Sequence, residues 1–345
     1  MNRHLYFLSS LIVCSLFSGS VWGVSSTGIA YVGFENFTND LYSINLQTGA
    51  YSLIPNLCGP SGGYQDMGLV NKTNSYVLNY NDDNVYSFNL QTEACQLVTT
   101  TPIPDGSPWA MAVASNSMAY VVCNDTNNVY SVNLQTGQPA FLMTVPGISG
   151  SPMLVDIAIG NNSKAYVIGH MDNNVYELDL VMGTNRLVTT TPVGSPGIPG
   201  LTGIALADNS TAYVVGSSDG NLYSVNLNNG TSSLVTANPV SPDIEYLVIS
   251  GNTAYTNNGP GGNQVFAINL QNGTSSVLTT LPFTFGHMWG IGIFSQIGTG
   301  GLSGNNLKFA NYLNKNAPID TNRLFFLLTD LQLPQALMAA APTRN

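Results

Sequence analysis

The segment Leu41-Tyr42-Ser43-Ile44-Asn45-Leu46-Gln47-Thr48-Gly49 is one of six similar segments in this chain of 345 residues. The other five span residues 85–93, 129–137, 175–183, 222–230 and 265–273. Their central aromatic residues follow one another at steps of 44, 44, 46, 47 and 43 residues. A period in the mid-forties that is made of short strands and turns is typical of a β-propeller. The repeat therefore predicts an all-β fold, a six-bladed β-propeller.

The unit at residues 201–238 shows how each repeat divides into four strands. Its strand-like runs lie at 201–206, 212–215, 222–227 and 233–236, and we label them A to D in chain order. Residues 222–227 alternate between apolar and polar side chains, which is the period of a half-buried strand. Asn229-Gly230 then provides a turn signal between strands C and D.

The A strands are rich in small residues, as expected where six blades crowd around one axis. The residues at equivalent positions are Gly68, Ala112, Ala158, Ala205, Val248 and Gly292. The B strands each carry a tyrosine: Tyr31, Tyr76, Tyr120, Tyr166, Tyr213 and Tyr255. We interpret these rings as packing between blades rather than as surfaces for stacking a ligand.

The two ends of the repeat region complement each other. Residues 28–54 provide strands B, C and D of a first blade, whereas residues 288–293 resemble a strand A with no blade after it. Because an open ring would expose sheet edges, we expect this C-terminal strand to complete the first blade. The predicted propeller domain spans residues 24–297.

The N-terminus indicates export. Residues 1–23 combine a short polar start, an apolar stretch from Leu5 to Phe17 and a small residue, Gly23, for cleavage. A lipoprotein would use Cys14 as its anchor, but the bulky Val13 before it fits that alternative poorly. We expect the mature chain outside the cell or on the outer-membrane surface, with the periplasm as the alternative.

The composition excludes some classes of partner. Charged residues make up 8% of the chain, against about 25% in typical soluble domains. A net charge of −10 with eight Lys and Arg argues against binding to nucleic acid phosphates. No apolar stretch after the signal is long enough to span a membrane as a helix. We expect a monomer.

The cysteines do not form a metal or redox motif. Cys58, Cys95 and Cys123 remain after the signal, and none lies in a CxxC spacing. In an oxidising compartment Cys58 could pair with Cys95. Cys123 ends a B strand and is expected to be a small buried hydrophobic residue.

The pattern changes after the last repeat. Residues 298–304 are rich in Gly and predict a flexible linker, and residues 305–345 predict a helical tail. The tail carries Asn306-x-x-x-Ala310-x-x-Leu313-Asn314, then a Leu-rich stretch and Gln335-Ala336-Leu337. It resembles the short segment that precedes the membrane barrel in autotransporters of Gram-negative bacteria. The strands of such a barrel do not follow, so the gene is truncated, the chain is a fragment, or the tail packs on the propeller.

The repeats themselves are similar to the YVTN-type propeller repeats of bacterial and archaeal surface proteins. The closest stretches are Ala212-Tyr213-Val214-Val215 and residues 220–227, and the likeness covers about residues 28–295. It implies a propeller exposed at a surface. It implies little about a ligand, because propellers carry unrelated functions.

The candidate site lies where the D-to-A loops and B-to-C turns gather around the channel mouth. Residues that depart from the small apolar pattern at the starts of A strands are Asp66, Trp109, Asp156, Glu245, His287 and Trp289. Together they would suit a small polar or sugar-like ligand, with Trp as the stacking surface. Alternatively the carboxylates hold Ca²⁺ with backbone oxygens, or the set solvates and plugs a water-filled channel. No other cofactor is expected.

The B-to-C turns repeat Asp and Asn, as at residues 81–84, 124–127, 171–174 and 218–221. These residues tolerate left-handed backbone and bond to it locally; calcium binding is the bolder alternative. For the whole chain we expect a surface or secreted module for binding or adhesion, with a protein or glycan partner at the loop face. The alternative is a lactonase-like hydrolase whose metal is held by Asp66, Asp156 and Glu245, although no spacing pairs a nucleophile with a base.

Overall fold

The structure is a computed structural model that describes residues 28–294 apart from short segments. The omitted positions are 36–39, 56–59, 61–62, 72, 116, 148–151, 161–162, 195–199, 237–239, 242, 260–261 and 283–286. The predicted signal (1–23), linker (298–304) and tail (305–345) lie outside the described residues. The described residues form strands and turns, and among them no helix has the length and apolarity that a membrane crossing requires.

The described residues form 24 strands. The first twelve are β1 (Ile29–Glu35), β2 (Asp40–Asn45), β3 (Tyr51–Ile54), β4 (Tyr64–Leu69), β5 (Asn74–Asn79), β6 (Asn84–Asn89), β7 (Cys95–Leu97), β8 (Pro108–Ser115), β9 (Met118–Cys123), β10 (Asn128–Asn133), β11 (Gln138–Thr144) and β12 (Leu154–Ile159). The second twelve are β13 (Lys164–Gly169), β14 (Asn174–Asp179), β15 (Thr184–Leu187), β16 (Leu201–Leu206), β17 (Thr211–Gly216), β18 (Asn221–Asn226), β19 (Ser232–Leu234), β20 (Ile244–Ser250), β21 (Thr253–Asn258), β22 (Gln264–Asn269), β23 (Ser275–Thr280) and β24 (His287–Phe294).

These strands form six antiparallel sheets of four strands, one per blade. Blade 1 contains β24, β1, β2 and β3, and blades 2 to 6 each take four consecutive strands from β4, β8, β12, β16 and β20. The A strand of every blade packs against the A strands of both neighbouring blades, which places all six around one axis. The prediction of an all-β, six-bladed propeller is confirmed.

The inner strand of blade 1 comes from the far end of the described chain. β24 pairs antiparallel with β1, with Tyr31 opposite Gly292, and β1 pairs in turn with β2. The predicted A strand at residues 288–293 lies within β24.

The distance between A strands explains their small residues. A Cβ added to Gly68 in blade 2 would lie 2.3 Å from Val113 Cγ2 in blade 3. A Cβ on Gly203 in blade 5 would lie 2.8 Å from the backbone carbonyl carbon of Tyr246 in blade 6. Larger side chains at these points would push neighbouring blades apart.

The hydrophobic core lies between blades, as the B-strand tyrosines suggested. Tyr166 of blade 4 is buried in one cluster with Ile204 and Val214 of blade 5. Leu78 of blade 2 is buried in another with Val121 of blade 3. Each blade therefore depends on its neighbours for burial of its apolar faces.

The turns between strands C and D connect adjacent blades. In blade 3, Asn133 Oδ1 accepts hydrogen bonds from Gln135 N at 3.0 Å and Thr136 N at 2.9 Å. The turn ends at Gly137, whose φ is +72° and whose carbonyl accepts a bond of 2.8 Å from Thr100 N in blade 2. A Cβ at Gly137 would lie 2.1 Å from the backbone oxygen of Val98. The glycine is required both for its φ and for this close approach.

Replacing Gly137 with Ala is expected to lower the free energy of unfolding by about 2–5 kcal/mol. Left-handed Ala costs about 1–2 kcal/mol, and the overpacked contact adds about 1–3 kcal/mol. Gly183→Ala is the matched control, because its φ is +65° but its added Cβ would lie 3.1 Å from Leu142 O. There we expect the conformational cost and a much smaller contact cost, because Leu142 O has to shift by only a few tenths of an ångström. Urea denaturation measures both, and equal losses would contradict the role assigned to the contact.

The described cysteines have different roles. Cys123 ends β9 as a free, buried thiol, and burial raises its pKa to about 12, which leaves it protonated at neutral pH. The prediction of a small buried hydrophobic residue is confirmed. Cys95 is disulfide-bonded; its predicted partner, Cys58, lies outside the described residues.

Candidate functional site

The B-to-C turns and the D-to-A loops lie at the same end of the propeller, which we call the upper face. The described turns are 80–83, 124–127, 170–173, 217–220, 259 and 262–263. The described parts of the loops are 55, 60, 63, 98–107, 145–147, 152–153, 188–194, 200, 235–236, 240–241, 243 and 281–282. All predicted site residues stand at the starts of A strands, directly after these loops.

An aspartate in three of the B-to-C turns is bonded to the tyrosine of the following C strand. The pairs are Tyr86 with Asp82, Tyr176 with Asp172, and Tyr223 with Asp219. In each pair the hydroxyl donates to Oδ2, while Oδ1 of the same aspartate accepts from a backbone amide two residues later. These carboxylates thus hold their own turns.

In three blades a second set of contacts ties the first residue of strand C, next to the B-to-C turn, to the loop that follows strand D. Thr99 Oγ1 donates to Asn84 Oδ1 at 2.6 Å and accepts from Val85 N at 3.1 Å. The same arrangement links Thr189 with Asn174 at 2.8 Å and Thr236 with Asn221 at 2.9 Å. The repeated Asp and Asn therefore make the upper face a rigid frame.

The left-handed backbone expected in these turns is present. Asp83, Asn127, Asn173 and Gly220 occupy equivalent positions with φ between +54° and +68°. Asn and Asp tolerate this region better than other side chains. The Asn-rich character of the turns is accounted for by backbone geometry.

Asp66 and Asp156 are built into the A strands as clamps between neighbouring blades. Asp66 accepts from Met67 N at 2.7 Å and from Met111 N of blade 3 at 2.8 Å. Asp156 accepts from the next residue's amide at 2.7 Å and from Ile204 N of blade 5 at 2.7 Å. Their exposures are 7% and 9%. Each carboxylate uses both oxygens to satisfy buried backbone amides.

The two clamps lie within electrostatic reach of each other. Burial raises the pKa of Asp66 from 3.8 to about 6, although its two amide bonds oppose the rise. Burial also raises the pKa of Asp156 well above its ordinary value, and the negative charge of Asp66 raises it further. The structure thus brings together two of the six predicted site residues, in blades 2 and 4.

Tyr246 is a residue at this mouth that sequence reasoning missed. In blade 6 it follows the first two residues of its A strand, as Asp66 and Asp156 do in theirs. Its hydroxyl donates to Gln65 O of blade 2 at 3.2 Å, and its φ is +48°, which is strained for an aromatic residue. The sequence did contain one signal: Tyr246 occupies the position of the repeat at which blades 2 and 4 carry Asp.

The other four predicted site residues lie in different local environments. Trp109 is half-buried and packs against the cluster between blades 4 and 5. The Glu245 carbonyl accepts from Thr256 Oγ1 at 2.8 Å, and its carboxylate lies beside Gly259 in the B-to-C turn of blade 6. His287 and Trp289 are backbone members of β24, paired with Glu35 and Gly33 of β1.

The metal-binding alternative requires several carboxylates to converge. Within the described residues, no group of three or more His, Cys, Asp or Glu side chains is arranged to hold a metal ion. The oxygens of Asp66 and Asp156 are already occupied by amide donors. A metal there would compete with four short hydrogen bonds at buried carboxylate oxygens.

Charge is distributed unevenly between the two ends. Residues 28–294 contain sixteen Asp and Glu against three Lys and Arg. Twelve of the sixteen belong to upper-face turns and loops or to the strand ends that adjoin them: Glu35, Asp40, Asp66, Asp82, Asp83, Asp105, Asp125, Asp156, Asp172, Asp219, Asp243 and Glu245. Lys164 and Arg186 follow an A-to-B and a C-to-D turn, at the opposite end of the repeat, and Lys72 lies outside the described residues. The upper face is therefore strongly anionic.

Comparison with known proteins supports the fold and goes no further. No family model and no curated protein matches the chain. A chain in the crystal structure of a nidogen/laminin complex aligns with a TM-score of 0.59 and 12% identity, covering 77% of this chain and 98% of that chain. In all, 1282 solved chains match, and a fold so widespread does not select one function. The chain shares the architecture of the β-propellers.

Proposed function

We propose that this chain is an exported β-propeller that acts as a binding or adhesion module, at a cell surface or in secreted form. The observation that carries the proposal is the upper face. A rigid frame of repeated turns presents loops that differ between blades, and variable loops on a constant frame are where propellers and other scaffolds place recognition. The resemblance to YVTN-type surface repeats and to autotransporter passengers supports the same role.

The charge of the upper face favours a partner with a cationic surface. A face that concentrates carboxylates attracts positive partners over several ångströms and raises their association rate. A protein partner would supply Lys and Arg, and a glycan would have to be basic or neutral. A protein assembly as the mode of binding is supported by the similar chain, which forms part of a nidogen/laminin complex.

Export is tested by fractionating cells that express the chain and sequencing the mature N-terminus. We expect the propeller outside the cytoplasm and a first residue near Val24, because residues 1–23 have the pattern of a cleaved signal. A cytoplasmic chain that still begins at Met1 would contradict this part of the proposal.

Reversing the charge of one upper-face residue is expected to weaken binding to a short fluorescent polylysine peptide. The change is Asp243→Lys, and the control is Glu93→Lys at the lower end. Both residues are exposed and left-handed, with φ of +56° and +58°. We expect several-fold weaker binding for Asp243→Lys, little change for Glu93→Lys, and weaker binding overall when salt rises from ~50 to ~200 mM. Equal effects of the two variants would exclude the upper face as the binding surface.

We also propose that the pairing of β24 with β1 closes the ring. The pairing joins the last described strand to the first blade, and it leaves the A strands of blades 2 and 6 in contact with β24. The first experiment of the Discussion tests this.

A further inference from the structure

A cavity of about 380 Å³ lies on blade 2, away from the upper face. It is lined by the end of strand A, the start of B, the end of C and the start of D, all of which meet at the lower end of the blade. The cavity is separate from all six predicted site residues. Its size falls in the range of small-molecule sites, roughly 300–1,000 Å³.

Strand register places a set of uncharged polar side chains on the same face of this blade. Tyr76 stands opposite Ser87, which stands opposite Gln96. Two residues further along, Asn74 stands opposite Asn89. Because side chains alternate along a strand, these five residues share one face. All of them line the cavity, and none of the described residues in the lining is charged. Lys72, in the adjacent A-to-B turn, lies outside the described residues.

Several hydrogen-bonding groups in the lining have capacity left for a ligand. Asn71 Oδ1 accepts from the amides of Thr73 and Asn74, which leaves the Asn71 Nδ2 group unused among the described residues. Asn89 Nδ2 donates to Asn74 Oδ1 at 3.4 Å, which leaves Asn74 Nδ2.

The side-chain amide of Gln96 and the hydroxyl of Tyr76 make no hydrogen bond to any described residue. Gln96 is exposed and Tyr76 is half-buried. The lining therefore offers both donors and acceptors beside an aromatic ring.

In blade 4, charged side chains occupy the positions equivalent to those that line the blade 2 cavity. There Glu177 stands opposite Tyr166 and Arg186, in the register of Ser87 with Tyr76 and Gln96. Arg186 Nη2 and Lys164 Nζ lie 2.6 and 2.7 Å from the Glu177 carboxylate. The equivalent surface of blade 4 is thus occupied by its own ion pairs, whereas the described residues that line the blade 2 cavity leave it open and carry no charge.

From this lining we infer that the blade 2 cavity binds a neutral saccharide unit. Sugar hydroxyls both donate and accept, so they match side-chain amides and a phenol, and the C–H face of a sugar ring packs on an aromatic ring. An anionic ligand would find no cation among the described lining residues and would approach a chain with a net charge of −10. A cationic ligand would find no carboxylate here and would prefer the upper face. The site is independent of the function proposed above.

The test uses the full mature chain and ligand-observed NMR with glucose, galactose, mannose, N-acetylglucosamine and their disaccharides. We expect saturation transfer to at least one of these neutral sugars, and weaker or no transfer to glucuronate and glucosamine. Ser87→Phe should abolish it by filling the cavity. The double change Asn74→Ala with Gln96→Ala, at two exposed positions, should weaken binding at least tenfold without affecting folding.

The matched controls lie in blade 5, where Tyr213, Ser224 and Ser233 have the same register. Ser224→Phe and Ser233→Ala should leave sugar binding unchanged. The proposal is overturned if no neutral sugar binds, if only glucosamine or glucuronate binds, or if the folded blade 2 double variant binds as tightly as the unaltered chain.

Discussion

A chain that ends at residue 286 is expected to lose its cooperative unfolding transition, whereas a chain that ends at residue 300 should keep it. The shorter chain lacks β24, so β1 loses its inner partner and the A strands β4 and β20 lose the strand that packs between them. Blades 2 and 6 would then face an open seam, with exposed apolar surface and unpaired strand edges that favour aggregation.

Thermal unfolding followed by circular dichroism, with size-exclusion chromatography, distinguishes the two chains. We expect a monomeric peak and a sharp transition for the chain that ends at 300, and aggregation or a broad, low transition for the one that ends at 286. Adding a peptide of residues 287–300 should restore part of the transition. If both chains unfold alike, the pairing of β24 with β1 does not close the ring.

Lowering the pH from 7 to 5 is expected to raise the melting temperature. Burial raises the pKa of Asp66 from 3.8 to about 6. It also raises the pKa of Asp156. A group whose pKa is higher in the folded state binds more protons there, so its stabilising contribution is complete below about pH 4 and is lost as the pH rises through about 6. For Asp66 alone the full shift corresponds to about 3 kcal/mol, of which roughly half is gained between pH 7 and 5.

The variant Asp66→Asn with Asp156→Asn separates this effect from repulsion among the exposed carboxylates. We expect most of the pH dependence between 5 and 7 to disappear, because the two buried groups no longer titrate. At pH 7 the variant gains from the removal of two buried negative charges and loses two hydrogen-bond acceptors, so its pH dependence, rather than its stability at one pH, is the test. Each Asn turns its NH₂ group towards one of the backbone amides that the carboxylate had accepted, and a buried amide left unpaired costs about 1–3 kcal/mol. An unchanged pH dependence would assign it to the surface instead.

The candidate site was only partly predictable. Asp66 and Asp156 stood out because they interrupt a small apolar pattern at a regular step. The sequence could not show that these two carboxylates bind backbone amides of the next blade, because the contacts link residues 45 and 48 positions apart. The bond from Tyr246 to Gln65 spans 181 positions, and no local pattern signals it.

The sequence by itself determined the number of blades, the four strands of each and the place of the turns. These features follow from local alternation, turn residues and a period that repeats along the chain, all of which operate over a few residues. Only the tertiary structure decided which carboxylates are buried as clamps, which tyrosine crosses to another blade and which blade keeps an open cavity. Those outcomes depend on distances between chain segments that are far apart in sequence. At such places a single backbone amide or ion pair decides whether a polar side chain is bonded within the protein or can bind a ligand.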